Sequence, residues 1–276
     1  MIPGLLAAQH ATPEAGVRSR FEPMFPIRSA LENLAYRGRM SWLRSVNKQR
    51  LYQGRRVNLD SAYKLAFQDE FNTFDRNKWR IGQPWGNIHP GDMHQWYSDT
   101  AVHSDSGLLR LLAIHRPARV HVLGRDTIVP FQVGLICSDI SFSTLYGYFE
   151  LRCKLPSGPA VWPAFWLAPV HGWPPEIDIF EMYGKSTGRS IRRLTNSLHF
   201  GSIEAGNKGQ RITGIRLPAD TDKRFYTYAC QWNFDCIEFY VNGFLVRRIR
   251  LNSRLAKEFG TPMYIIINNG LQAAYL

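Results

Sequence analysis

Residues 176–181 read Glu-Ile-Asp-Ile-Phe-Glu, three carboxylates in a run otherwise made of isoleucine and phenylalanine. Ionised carboxylates are costly to bury unless paired or hydrogen-bonded, so a core-type strand that keeps three of them uses their charge or a perturbed pKa. Strand alternation puts Glu176 and Asp178 on one face and Ile177 and Ile179 on the other, and it leaves Glu181 on the wrong face by strict period two. One extra residue near Ile179-Phe180, a β-bulge, returns Glu181 to the face of the other two, and bulges are common beside active sites. The glutamate Cα atoms then stand roughly 13 Å apart at ~3.3 Å per residue. Long side chains leaning over Asp178 can bring their carboxyls to about 5–5.5 Å, the spacing at which one carboxylate attacks a sugar while the other is first acid, then base. Upstream, Trp162-Pro-Ala-Phe-Trp166 alternates so that Trp162, Ala164 and Trp166 share a face. Indole stacks on the apolar C–H faces of sugars, and it also serves as ordinary core packing.

The elements that must hold this run are strands. Short segments rich in Val, Ile, Tyr, Phe and Trp recur between turn signals such as Pro156-Ser-Gly158 and Asn242-Gly243, the pattern of a sandwich. With 276 residues, 45% of them hydrophobic and 13% aromatic, the chain can bury a substantial core. No apolar run approaches the ~18 residues of a membrane span, and no internal repeat is visible. The net charge of +12 invites a nucleic-acid partner, but residues 1–65 hold eleven of the Lys and Arg against four acids, a net of +7. Much of the charge therefore lies in a basic N-terminal extension, residues 1–60, preceding a domain over residues 61–276. Ile27, Leu31, Leu34, Trp42, Leu43 and Val46 fall at roughly helical spacing, broken by Arg37-Gly-Arg39. They read either as a basic amphipathic helix for a membrane surface or acidic polymer, or as a loosely docked leader. Arg192-Arg193 and Arg247-Arg248-Ile-Arg250 give the domain a weak bias toward acidic polysaccharides.

Other patterns carry less. Gly184-Lys-Ser-Thr-Gly188 matches Gly-x-Ser-x-Gly without the strand-turn-helix setting of a nucleophile elbow. Its Gly-Lys-Ser piece lacks the upstream glycine of a phosphate loop, because Ile179 stands there. His89 and His94 are five apart with no third ligand, which is not zinc spacing. The cysteines at 137, 153, 230 and 236 form no C-x-x-C pair. Cys137 and Cys153 flank an expected hairpin near Leu145, where they are cross-strand candidates for a disulfide or a pair of small buried thiols. The start, Met-Ile-Pro-Gly-Leu-Leu-Ala-Ala-Gln-His-Ala, lacks the basic n-region and full apolar core of a signal peptide.

Glu176-Ile-Asp-Ile-Phe-Glu181 resembles the bulged active-site signature of glycoside hydrolase family 16, as found in laminarinases, agarases and carrageenases. The likeness runs in order through Leu65-Ala-Phe-Gln-Asp-Glu-Phe71, Lys78-Trp79, Gln95-Trp-Tyr97, Gly107-Leu-Leu-Arg-Leu111 and Tyr146-Gly-Tyr-Phe-Glu-Leu-Arg-Cys-Lys-Leu-Pro156. After the signature it continues through Ser197-Leu-His-Phe-Gly201, Tyr228-Ala-Cys-Gln-Trp232 and Ile237-Glu-Phe-Tyr-Val-Asn-Gly243, so that it covers about residues 65–268. The resemblance implies an all-β fold, a jelly-roll β-sandwich of two antiparallel sheets with a concave substrate cleft. It implies Glu176 as nucleophile, Asp178 as its assisting acid and Glu181 as general acid/base, with Trp162, Trp166, His199 and Trp96 binding substrate.

The implied function is a retaining endo-glycosidase on a β-1,3-glucan-like polymer or bacterial exopolysaccharide, acting outside the cytoplasm without a cofactor. The alternatives are a transglycosylase and a non-catalytic carbohydrate-binding protein on the same fold. Nucleic acid and an integral membrane segment are not expected, and oligomeric state has no signal. After Pro262-Met-Tyr-Ile-Ile-Ile-Asn268 the family's final strand, rich in Val, Asp and Tyr, has no counterpart before Leu276. That absence speaks against the calcium which an aspartate of that strand helps to bind, and it asks for residues 50–64 or a partner to cover a sheet edge.

Overall fold

The computed structural model describes residues 5–10, 63–88, 94–122, 124–184 and 192–272, which form eighteen strands and one short α-helix, α1 (Ser253–Glu258). The strands with β-branched and aromatic alternation build two antiparallel sheets packed face to face. The front sheet runs β14 (Gly209–Arg216), β13 (Arg193–Phe200), β12 (Glu176–Glu181), β11 (Val161–Pro169), β18 (Met263–Leu271), β9 (Leu135–Cys137), β3 (Arg80–Ile81). The back sheet runs β17 (Phe244–Arg250), β16 (Cys236–Val241), β15 (Tyr226–Trp232), β10 (Gly147–Cys153), β1 (Leu5–His10), β2 (Tyr63–Asp69). The sandwich expected from the sequence is the fold observed. No helix among the described residues is long and apolar enough to cross a membrane.

The core lies between the sheets. Phe149, Tyr228, Trp232 and Phe239 of the back sheet meet Phe165, Ile177, Phe180, Leu198 and Ile265 of the front. The rings of Phe180 and Tyr228 are 4.6 Å apart at their centroids. A second cluster sits on the other face of the front sheet. There Tyr97 of β4 (Gln95–Tyr97) and Val133 of β8 (Arg125–Val133) pack on Leu135, Ala168, Tyr264 and Ile266. Strands β4 and β8, with β7 (Ala113–Val122), form a small sheet that roofs the β18–β9 side and leaves the β12–β14 side of that face uncovered by it. The hairpin β5 (Val102–Asp105) and β6 (Leu108–Leu111) stands apart as a two-stranded sheet.

Two expectations change. Residues 5–10, counted with the N-terminal extension, are a strand between β10 and β2, with Leu5 opposite both Leu151 and Asp69. Among the described residues the neighbour of β2 is β1, and residues 50–62, expected to cover a sheet edge, lie outside the described residues. Cys137 and Cys153 do not flank a hairpin: β9 belongs to the front sheet and β10 to the back, so the chain near Leu145 crosses between layers. All four thiols are free. The helical spacing of residues 27–46 and most of the Gly184–Gly188 motif lie outside the described residues.

The β-bulge stands where the alternation requires it. Across β11, Trp166 faces Asp178 and Phe165 faces Phe180, which leaves Ile179 as the extra residue. Across β13, Asp178 faces Ser197 and Glu181 faces Thr195, so Ile179 and Phe180 together oppose Asn196 alone. Both bulged side chains enter the core at 2% exposure, while the buried Asn196 amide donates to the Ile179 carbonyl that the bulge strips from the ladder. Asn196→Ala is expected to lower stability by about 1–3 kcal/mol, the cost of leaving that carbonyl unpaired. Denaturant titration reads this as a lower midpoint at unchanged slope; an unchanged midpoint would show that the bulge does not rely on its cap.

Candidate active site

Because the bulge shifts the register, Glu176, Asp178 and Glu181 all project from the front face of β12, away from the core residues Ile177, Ile179 and Phe180. Alternation on the flanking strands does the rest. Trp162, Ala164 and Trp166 of β11 share that face on one side, and Thr195, Ser197 and His199 of β13 share it on the other. Glu176 lies opposite His199, Asp178 opposite Ser197, and Glu181 opposite both Thr195 and Ala164.

Each glutamate has its own donors. Trp173, in the loop before β12, gives its indole N–H to Glu176 Oε2 at 2.6 Å. Glu181 Oε1 accepts from Trp162 Nε1 at 3.0 Å and from the Tyr183 hydroxyl at 2.7 Å, and its Oε2 accepts from Ser197 Oγ at 3.3 Å. The Trp162 and Tyr183 rings lie 5.7 Å apart, so the indole is braced as well as bonded. Trp166 donates to Asn268 Oδ1 at 2.9 Å, and Asn268 in turn donates to the Trp162 carbonyl at 3.2 Å. Both tryptophans are half-buried with their N–H groups spent, and Trp166 also packs against the second core cluster. Trp96 is not joined to the carboxylates by a described contact; its neighbours Gln95 and Tyr97 are the buried residues of β4, and alternation turns Trp96 away from them.

His199 Nε2 stands 3.2 Å from Asp178 Oδ2 and 3.6 Å from Glu176 Oε1. Glu176, Asp178 and His199 each offer one atom within 4.8 Å of the others, a set that matches a small cation as well as a shared proton. Burial pushes the Glu176 carboxyl well above the usual range, reinforced by the charge of Asp178, while His199 and Trp173 pull it back. Burial also pushes Asp178 well up, with the charge of Glu181 next, and the hydrogen bond to Glu176 opposes the rise. Two carboxyls so close cannot both ionise at little cost, and the pair holds a proton to higher pH than either would alone. Tyr183 likewise has its phenol pushed far up, by burial first and then by the charge of Glu181, so its hydroxyl remains a donor.

Trp173, Tyr183 and Asn268 were not singled out by sequence reasoning, and Ser197 entered only as part of a motif. Ser197 and Tyr183 had a readable signal, since each sits two residues from a named site residue on a strand or its direct continuation. Trp173 had none, because loop geometry and not periodicity brings it to Glu176.

Glu176 and Asp178 bind protons more tightly in the folded than in the unfolded chain, so the folded state holds more protons from the ordinary carboxylate range upward and stability falls as pH rises through that window. Asp178→Asn removes one such group. It should stabilise the protein at pH 7, read as a raised Tm, with the gain fading as pH falls into the ordinary carboxylate range. A variant equally destabilised at both pH values would show that Asp178 is held by packing, not strained by its charge.

Known proteins resemble this chain in sequence and fold. The chain is 27% identical over 234 residues to endo-1,3-1,4-beta-glycanase ExsH of Rhizobium meliloti (strain 1021), covering 77% of this chain and 47% of that protein. It is 30% identical over 202 residues to a glucan endo-1,3-beta-glucosidase of Cryptopygus antarcticus, covering 66% and 67%. The chain spans about half the length of the Rhizobium glycanases ExsH and EglC. The catalytic domain of an endo-1,3-beta-glucanase (laminarinase) from Thermotoga petrophila RKU-1 superposes with a TM-score of 0.64 at 25% identity, over 75% of this chain and 86% of that one. Residues 97–274, which include the carboxylate strand and both strands beside it, match the family model, and the chain belongs to the glycosyl hydrolases of family 16.

Proposed function

We propose that this protein is a retaining endo-glycosidase that cuts internal β-glycosidic bonds of a β-1,3-glucan-like polymer or related exopolysaccharide outside the cytoplasm. The observation that carries the reading is the single-face carboxylate trio, with one glutamate beside Asp178 and His199 and the other ringed by three donors. Membership of the family and the names of the relatives support the reaction class and the polymer. Glu176 attacks the anomeric carbon while Glu181 gives its proton to the leaving oxygen. Glu181 then takes a proton from water, which releases the sugar from Glu176. The Glu176–Asp178 pair holds a proton, attack uses the form in which Glu176 is ionised, and His199 and Trp173 steady the resulting charge. Trp162 and Trp166 offer ring faces to the sugars on the β11 side. The cycle needs no cofactor, because attack and proton transfer are both performed by side chains.

Glu176→Gln is expected to lower turnover by about 10⁴-fold or more with folding intact, since it removes the nucleophile and almost no volume. Glu181→Ala should cost about 10²–10⁴-fold on polymer and much less on an aryl glycoside whose leaving group needs no proton. Reducing-end release and aryl release measured side by side check both. Equal losses on the two substrates would refute the acid/base assignment to Glu181.

A further inference from the structure

The loop that brings Trp173 to Glu176 is held little by packing. Val170, His171, Gly172 and Trp173 are all exposed, and full burial resumes only at Pro175, one residue before Glu176. Trp173 itself is 38% exposed, yet its indole N–H stands 2.6 Å from Glu176 Oε2. Besides that bond, two described contacts reach the ring. The His199 imidazole lies 6.2 Å away between centroids, tilted by 35°, and the Lys208 ammonium lies 4.2 Å from the ring centroid.

Lys208 comes from a turn that is itself fixed. It ends the connection between β13 and β14, and the first residue of that connection, Gly201, gives its N–H to Glu258 Oε2 on α1 at 2.6 Å. Within the turn the Ser202 N–H donates to Asn207 Oδ1 at 2.8 Å, and the Asn207 N–H donates to the Ser202 carbonyl at 3.1 Å. Gly201 has a φ of +90°, and a Cβ there would come within 2.4 Å of the Asn207 carbonyl oxygen, so the turn closes only around a glycine. Among the described residues no carboxylate pairs with Lys208, and the indole is its partner.

We propose that Lys208 is a positioning residue for the nucleophile: its ammonium, seated on the Trp173 ring, holds the indole N–H against Glu176. A cation over an indole face is attracted to the π electrons and fixes the ring in place. It also draws electron density from the indole, which makes the N–H a stronger donor to an ionised carboxylate. The assignment rests on the glycosidase reading above and extends it to a residue that reaches the nucleophile only through Trp173.

The test uses wild type, Lys208→Met, Lys208→Arg, Trp173→Phe and the double variant Lys208→Met with Trp173→Phe. A cation–π contact at an exposed site is worth a factor of about two to five. Lys208→Met should lower kcat by that factor and leave KM unchanged, and Lys208→Arg, which keeps a cation for the ring, should recover most of the loss. Trp173→Phe keeps an aromatic ring and removes the N–H, so adding Lys208→Met to it should cost nothing more. An unchanged kcat in Lys208→Met, a loss that falls in KM, or a loss that persists beside Trp173→Phe would overturn the proposal. The indole N–H resonance of Trp173 in ¹⁵N-labelled protein, identified by its disappearance in Trp173→Phe, gives a readout without substrate. It should move in Lys208→Met and return toward wild type in Lys208→Arg; a resonance that stays in place would refute the contact. A wild type that cleaves no polymer but shows the shift would sink the glycosidase reading and keep the hold on Trp173, while cleavage with kcat and resonance both indifferent to Lys208 would do the reverse.

Discussion

Ile179 and Phe180 are neighbours in sequence, yet both bury their side chains in the core between the sheets, and the site depends on that departure from alternation. Burying each such side chain contributes about 1.5–3 kcal/mol. That gain works against the broken ladder and the stripped Ile179 carbonyl, which Asn196 repairs. The consequence is chemical. Without the extra residue, Glu181 would face the core and β12 would present two carboxylates; with it, three stand on one face.

Keeping three acids on a strand whose other residues are buried has an electrostatic cost, and the surroundings are arranged to distribute it. Glu181 is fully engaged by Trp162, Tyr183 and Ser197, whereas Glu176 has Trp173 and Asp178 shares His199 with it. Asp178 Oδ2 and His199 Nδ1 are buried without a hydrogen bond among the described residues, so this half of the site holds unspent polar capacity. A pair that shares a proton, set beside a separately fixed carboxyl, is the asymmetry that assigns two jobs to chemically similar groups. Asn268 extends the order outward by tying the Trp166 indole to the Trp162 backbone, which holds both ring faces in one relation.

The carboxylate strand, its bulge and the common face of Trp162 and Trp166 were legible because period-two alternation is a local property of sequence. His199 came from the family resemblance as a substrate-binding residue, and it stands beside Asp178 and Glu176. Sequence could not show Trp173, which a loop brings to Glu176. It misread Cys137 and Cys153 as hairpin neighbours because two strands joined by a short turn look alike whether they pair or cross to opposite sheets. Leu5–His10 carries no alternation of its own to separate it from the basic segment that follows, so its place between β10 and β2 is visible only in the assembled sheet.

The central claim is that Glu176 forms a covalent bond to the sugar while Glu181 manages the proton. It is tested most directly by trapping the enzyme with a fluorosugar that has an activated leaving group, then locating the adduct by peptide mass spectrometry. One sugar is expected on the peptide containing residues 176–181, attached at Glu176, together with a first-formed product of retained configuration by NMR. An adduct on Glu181, or inversion at the anomeric carbon, would contradict it.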